Sequence, residues 1–205
     1  ANTSRTLAAD GWLVLQVDLL GCGDSSGDIG DARWQDWLHD VVRSAEWLTS
    51  RYPTAELWLW GLRLGCLLCV QAAPLLARDC HFLFWQPPAS GKPLLQQFLR
   101  LKVAADMLDG QSKGAMNQLK ATLADGKTVQ ISGYRLNSDL AAGIEHSSLT
   151  PPIVRGRPGR VAWLEVSSRG AADLTPTSAK LASDWVKAGF DVRACSVPGP
   201  SFWQT

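Results

Sequence analysis

Histidine is scarce in this chain. Three occur in 205 residues, His39, His81 and His146, and none follows position 146, which excludes an imidazole-dependent step carried by the last quarter of the sequence. Charge bias is also missing. Lys and Arg number 20 against 19 Asp and Glu, for a formal charge of +1, so there is no electrostatic reason to expect nucleic acid or an anionic membrane as a general partner. No basic patch interleaved with aromatics points to nucleic acid either. No apolar run reaches the roughly 18–20 residues of a spanning helix, and the first residues do not read as a signal peptide. Cysteines number five, and an odd count argues for reduced thiols in a cytoplasmic protein rather than a disulfide frame. The lone C-x-x-C, Cys66 and Cys69, has no second pair and no H-x₃₋₅-H to complete a zinc site. No metal is expected, and both thiols read as small core residues. Gly21-Cys-Gly-Asp-Ser-Ser-Gly27 lacks the ending of a P-loop and the acidic residue that follows a dinucleotide fingerprint, so no cofactor is expected.

What the chain does have is apolar bulk. Hydrophobic residues make up 46% and ten are tryptophan, enough for a sizeable core in one domain. Leu13–Asp18 is β-rich and reads as a strand, followed by a glycine-rich loop to Gly27. Trp34, Trp37, Leu38, Val41, Ala45, Leu48 and Tyr52 recur with helical period, which predicts a helix over 32–52, with Trp47 off the stripe. Strands are predicted at 56–60, 81–85, 160–166 and 192–197, and helices at 64–77 and 177–188. Alternation of strands and helices implies a mostly parallel sheet with helices on both faces. Residues 88–150 change character, richer in Lys, Gln, Gly and Ser, with helix-like pieces near 94–108 and 114–124. They read as a lid or cap insertion with few buried contacts, dividing the core into 1–87 and 151–205. The chain opens inside a helix and stops just past a strand, so it reads as truncated at both ends.

The centre of the sequence carries the most chemistry. Glu56-Leu-Trp-Leu-Trp60 is a buried-strand pattern, Leu64 onward is an opening helix, and between them stands Gly61-Leu62-Arg63-Leu64-Gly65. This is the G-x-S-x-G turn that carries a nucleophile in hydrolases of this architecture, with arginine in the serine position. An arginine has no deprotonatable oxygen or sulfur, so it cannot form an acyl-enzyme. The two glycines read as the residues that let the strand reverse into the helix at close approach.

With these features in order, the chain resembles the α/β-hydrolase superfamily. More narrowly it is similar to the exosortase A system-associated hydrolase 2 family of bacterial exopolysaccharide and protein-sorting loci. The stretches that carry this are 18–28 (DLLGCGDSSGD), 60–65 (WGLRLG), 84–91 (FWQPPASG), 130–136 (QISGYRL) and 198–205 (PGPSFWQT). The resemblance implies an α/β-hydrolase fold with a lid, a hydrolase activity, and a small-molecule ligand that is acyl or glycan-linked.

The catalytic order of this fold is Ser, then Asp or Glu, then His. The first position holds Arg63. The acid position falls nearest Asp173, which reads more readily as a loop residue or a helix-capping carboxylate before Thr175-Pro176. The base should follow the last strand, but residues 199–205 contain no histidine. His39 reads as solvated on a helix face, His81 as a strand-edge residue and His146 as lid surface, with folding over the site as its other reading. Substitute nucleophiles are Cys66, expected to point into helix packing, and Cys22, Ser25 and Ser26 in the glycine-rich loop, where Asp24 and Ser25 read as turn-holding residues. Three functions stay open: a hydrolase or acyltransferase, a non-catalytic ligand-binding or assembly protein, and an interaction module using tryptophans such as Trp47 or Trp203. In the second, Arg63 and the Leu64 amide would hold an anionic group, with Cys22 and Ser25 lining the site. The other reading of Arg63 is an internal ion pair with Asp18, Asp24 or Asp173.

Overall fold

The protein is described by a computed structural model covering residues 2–108, 114–154, 156–167 and 173–200. The chain runs α1 (Asn2–Ala9), α2 (Trp34–Arg51), β1 (Trp58–Leu62), α3 (Leu64–Ala72) and β2 (His81–Trp85). It continues through α4 (Lys92–Leu108), α5 (Ala115–Ala124), the hairpin strands β3 (Val129–Ile131) and β4 (Tyr134–Leu136), and α6 (Ser138–His146). β5 (Arg160–Ser167), α7 (Pro176–Lys187) and β6 (Asp191–Pro198) close it.

Strands separated by helical crossovers pair in parallel. The order is β1-β2-β5-β6, each neighbour parallel to the next. The fold is thus α/β, a four-stranded parallel sheet flanked by helices, as the α/β-hydrolase reading expects. Period-2 alternation sends Leu59, Phe82, Phe84, Val161 and Trp163 into one core with Cys66, Leu67 and Val70 of α3 and Ala182 and Trp185 of α7. Trp185 meets Phe82 and Phe84 edge-on at 5.3 and 5.2 Å. Each such side chain contributes about 1.5–3 kcal/mol by leaving water. Trp58, Trp60, Leu83 and Leu164, the alternate residues, lie half-buried on the other face.

A second core lies behind α3. Trp34, Trp37 and Leu38 of α2 pack with Leu68 and Ala72 of α3, Leu95 and Leu99 of α4, the hairpin residues Val129, Ile131 and Leu136, and Leu140, Ala141 and Ile144 of α6. Residues 88–150 therefore supply much of a hydrophobic core. The expectation of few buried contacts there, drawn from composition, is corrected. Asn137 ties the segment in: it caps α6 by accepting from the Leu140 amide and donates to the carbonyls of Gly30 and Ala32. The hairpin and α6 were not legible beforehand, being only three and nine residues long.

Two other expectations change. Leu13–Asp18 forms no strand: it lies outside every ladder, and Trp12, Leu13, Val14, Leu15 and Val17 are all exposed. β-propensity records how well a side chain fits a packed pleated surface, and no described strand flanks this segment to provide one. Its fixed point is Trp12, edge-on to Trp58 at 5.9 Å. The helix expected to reach residue 77 ends at Ala72 and passes into a 3₁₀ turn over Ala73–Leu75, because Pro74 cannot donate the next helical hydrogen bond.

Candidate ligand site at the strand-to-helix turn

β1 stops at Leu62 and α3 starts at Leu64, so one residue makes the reversal. That residue is Arg63, at φ 50° and ψ −114°. A side chain at positive φ costs on the order of 1–3 kcal/mol and persists only where its surroundings enforce it. Here the Arg63 amide donates to the Trp85 carbonyl at 2.9 Å, and the Arg63 carbonyl accepts from the Cys66 amide at 2.9 Å. The two flanking glycines turn out to differ. A Cβ on Gly61 would lie 2.4 Å from the Cys66 nitrogen, whereas one on Gly65 would meet nothing within 4 Å. Close approach therefore explains Gly61 and leaves Gly65 without a steric reason.

The Arg63 side chain reaches the segment between β2 and β5. Its Nη2 donates to Oε1 of Gln97 on α4 at 3.0 Å. The group is partly buried, and desolvation pushes its pKa down, yet a guanidinium remains cationic at physiological pH. Nothing in the local sequence pointed to Gln97. Leu64 follows, half-buried and packed against both cores.

The substitute nucleophiles are placed for other work. Cys66 is fully buried, its Sγ donating to the Gly61 carbonyl at 3.1 Å, and burial raises its pKa well above that of a free thiol. Cys69 is a core residue whose burial pushes its pKa to about 12. Cys22 packs at the edge of the second core, and burial, then Asp18 and Asp40, raise its pKa. A thiol so shifted is a poor nucleophile near neutral pH. Ser25 is half-buried and Ser26 exposed. The loop is held by other residues than expected: Asp18 Oδ2 accepts from the Asp24 amide at 3.0 Å and Asp40 Oδ2 from the Leu20 amide at 2.9 Å.

The other triad candidates are scattered. Asp173 is exposed, two residues before Thr175, the N-cap of α7. Sequence reasoning passed over the buried carboxylate nearby: Glu165, on the core face of β5, accepts from the Thr175 amide at 3.1 Å. Its signal was an acidic residue at an inward position of an apolar strand. Gln86, at φ 50°, was also missed; its Oε1 accepts from the Val166 amide at 2.7 Å and braces the ends of β2 and β5.

His39 is exposed and 3.3 Å from Gln35. His146 ends α6 with Nδ1 2.7 Å from the Ala142 carbonyl. His81 begins β2, at the opposite end of the strands from the turn, beside Glu56 and Arg160. Residues 201–205, including Trp203, lie outside the described residues, and Trp47 is 49% exposed with the Arg51 guanidinium 4.1 Å above its ring.

Among the described residues no group of three or more His, Cys, Asp or Glu is placed to hold a metal ion, and no helix is long and apolar enough to cross a membrane. No family model matches the chain, and no curated protein does. Among solved structures it is similar to the crystal structure of VinJ, at 19% identity over 96% of this chain and 76% of that one, with a TM-score of 0.47.

Proposed function

We propose that this chain is a hydrolase-fold protein that binds an anionic group of its ligand through Arg63 rather than turning substrate over through a serine. The observation that carries the reading is Arg63 itself. It occupies the strained reversal between β1 and α3, the place a nucleophile takes in such folds, and its guanidinium is partly buried against Gln97. A guanidinium there offers a planar donor fork that matches carboxylate or phosphate, at the opening of α3, where amide N–H groups also favour anions.

In this reading residues 88–150 act as the lid, with Gln97 as their contact to the turn. The biological setting we infer is a bacterial exopolysaccharide or exosortase-associated system with a cytoplasmic protein. It is supported by the short stretches around residues 18–28, 60–65 and 84–91, and by five free cysteines. A hydrolase acting on an acyl or glycan-linked substrate is the second reading, supported by the architecture.

The test is stabilisation by inorganic phosphate or sulfate in the full-length protein and in Arg63→Ala. The proposal expects the anion response to be lost and the melting temperature nearly kept. If the variant instead loses about 3–5 kcal/mol of stability with its anion response intact, Arg63 serves an internal ion pair.

A further inference from the structure

The imidazole of His81 joins β2 to β5 and to the segment before β1. Its Nδ1 accepts from the Arg160 amide at 2.9 Å, its Nε2 stands 3.8 Å from Glu56 Oε1, and its ring centre lies 4.9 Å from that of Trp58. Gly159 lets the backbone come this close, because a Cβ there would lie 2.7 Å from Nδ1. Glu56 also pairs with Arg160, whose guanidinium sits 5.1 Å above the Trp58 ring. Trp58 in turn holds Trp12 edge-on at 5.9 Å. Beyond Trp12, Leu13, Val14, Leu15 and Val17 are all exposed. Before it, α1 has eight residues, too few for a helix to persist in water without an anchor.

A proton on Nδ1 abolishes the bond to Arg160, since two N–H donors would then face each other at 2.9 Å. The ring must leave that amide. As an imidazolium it also competes with Arg160 for the one carboxylate of Glu56. Both moves displace groups that pack on Trp58, and Trp58 is what Trp12 rests on. The charged groups facing the ring are Glu56 before β1, Asp79 before β2 and Arg160 on β5. Burial and then Arg160 oppose the proton, while Glu56 and Asp79 favour it, and the net effect is a lowered pKa. The ring is therefore neutral at pH 7 and takes its proton below about 6.5.

We propose that His81 is the proton-sensitive element of a latch. Neutral, it keeps Arg160 and Trp58 in the arrangement that seats Trp12; protonated, it frees α1 and residues 10–17 from the edge of the sheet. The latch is independent of the Arg63 site, which lies at the opposite end of the strands.

The experiment is hydrogen–deuterium exchange of the full-length protein at pH 7.5 and 5.5, each rate corrected for the intrinsic effect of pH. The amides of Asp10, Gly11 and Trp12, bonded to the carbonyls of Thr6, Ala8 and Leu7, report the latch, and those of β2 and β5 report the sheet. Protection at Asp10, Gly11 and Trp12 should fall about two- to tenfold at pH 5.5, the factor carried by one aromatic pair, while the strands stay protected. In His81→Asn, which keeps an acceptor and does not titrate, protection should be the same at both pH values. Trp12→Ala should show the lowered value already at pH 7.5. Wild-type protection that does not change with pH overturns the latch, whether or not the variants fold. An equal loss in His81→Asn also overturns it, since another group would then carry the effect. So does a loss shared equally by the strands, which is general unfolding.

Discussion

A methyl group on Gly61 would lie 2.4 Å from the amide nitrogen of Cys66. The end of β1 and the first turn of α3 touch backbone to backbone, and this contact sets the tightness of the reversal at Arg63. Gly61→Ala is therefore expected to destabilise by about 1–3 kcal/mol or more, the range for overpacking a site that cannot yield. Gly65→Ala, with open space around it and a helical position, is expected to be neutral or to stabilise by up to about 1 kcal/mol. Chemical denaturation of the two variants compares them directly, and equal losses would contradict the assignment.

Serine-directed fluorophosphonates are expected to leave the full-length protein unlabelled. Residue 63 has no hydroxyl, and no described histidine stands at the turn to activate another one. Mass spectrometry after labelling decides it. Stoichiometric modification of Ser25 or Ser26 would restore serine catalysis.

Arg63→Ser is likewise expected to yield no measurable esterase activity on short acyl esters. A serine at the strained turn would still lack its base, and members of such a triad act as a unit. Turnover in this variant would mean that a histidine reaches the turn.

His81 makes stability depend on pH. Its Nδ1 accepts from the Arg160 amide at 2.9 Å, so the ring is neutral at that nitrogen. Burial first and then the Arg160 charge lower its pKa, with Glu56 opposing. Because the folded pKa lies below the unfolded one, the contribution is fully present above about 6.5. It is lost as pH falls from there through the folded pKa. Thermal melts from pH 7.5 to 5 should show a loss in the wild type that is smaller in His81→Asn, which keeps an acceptor and does not titrate. An identical slope in the variant would assign the loss to other groups.

The exposed apolar segment from Trp12 to Val17 predicts self-association, since an uncovered row of this kind is a sticky surface. Leu15→Lys, at a residue 40% exposed and outside any ladder, should reduce association in light scattering while preserving the melting temperature. Unfolding of the variant would show instead that the segment is paired.

Local patterns determined a good part of this protein. The stripe Trp34, Trp37, Leu38 and Ala45 specified α2, because 3.6-residue periodicity needs no distant partner. The apolar alternation in β1, β2 and β5, separated by helices, implied a parallel α/β sheet. The Gly61–Gly65 pattern located the strained turn and showed that its residue cannot be a nucleophile.

Tertiary structure decided the rest. Leu13–Asp18 has the composition of a strand and is none, because a ladder depends on a neighbour. Residues 88–150 look polar and loose in composition, yet Leu95, Leu99, Ile131 and Leu140 bury themselves in one core with Trp34, Trp37 and Leu38 of α2 once the chain is folded. Gln97 and Arg63 are 34 positions apart, and Glu165 meets Thr175 through an amide. Contacts of that kind leave no period in the sequence. They exist because the sheet and its helices bring distant groups within hydrogen-bonding distance, and only the folded coordinates record which groups those are.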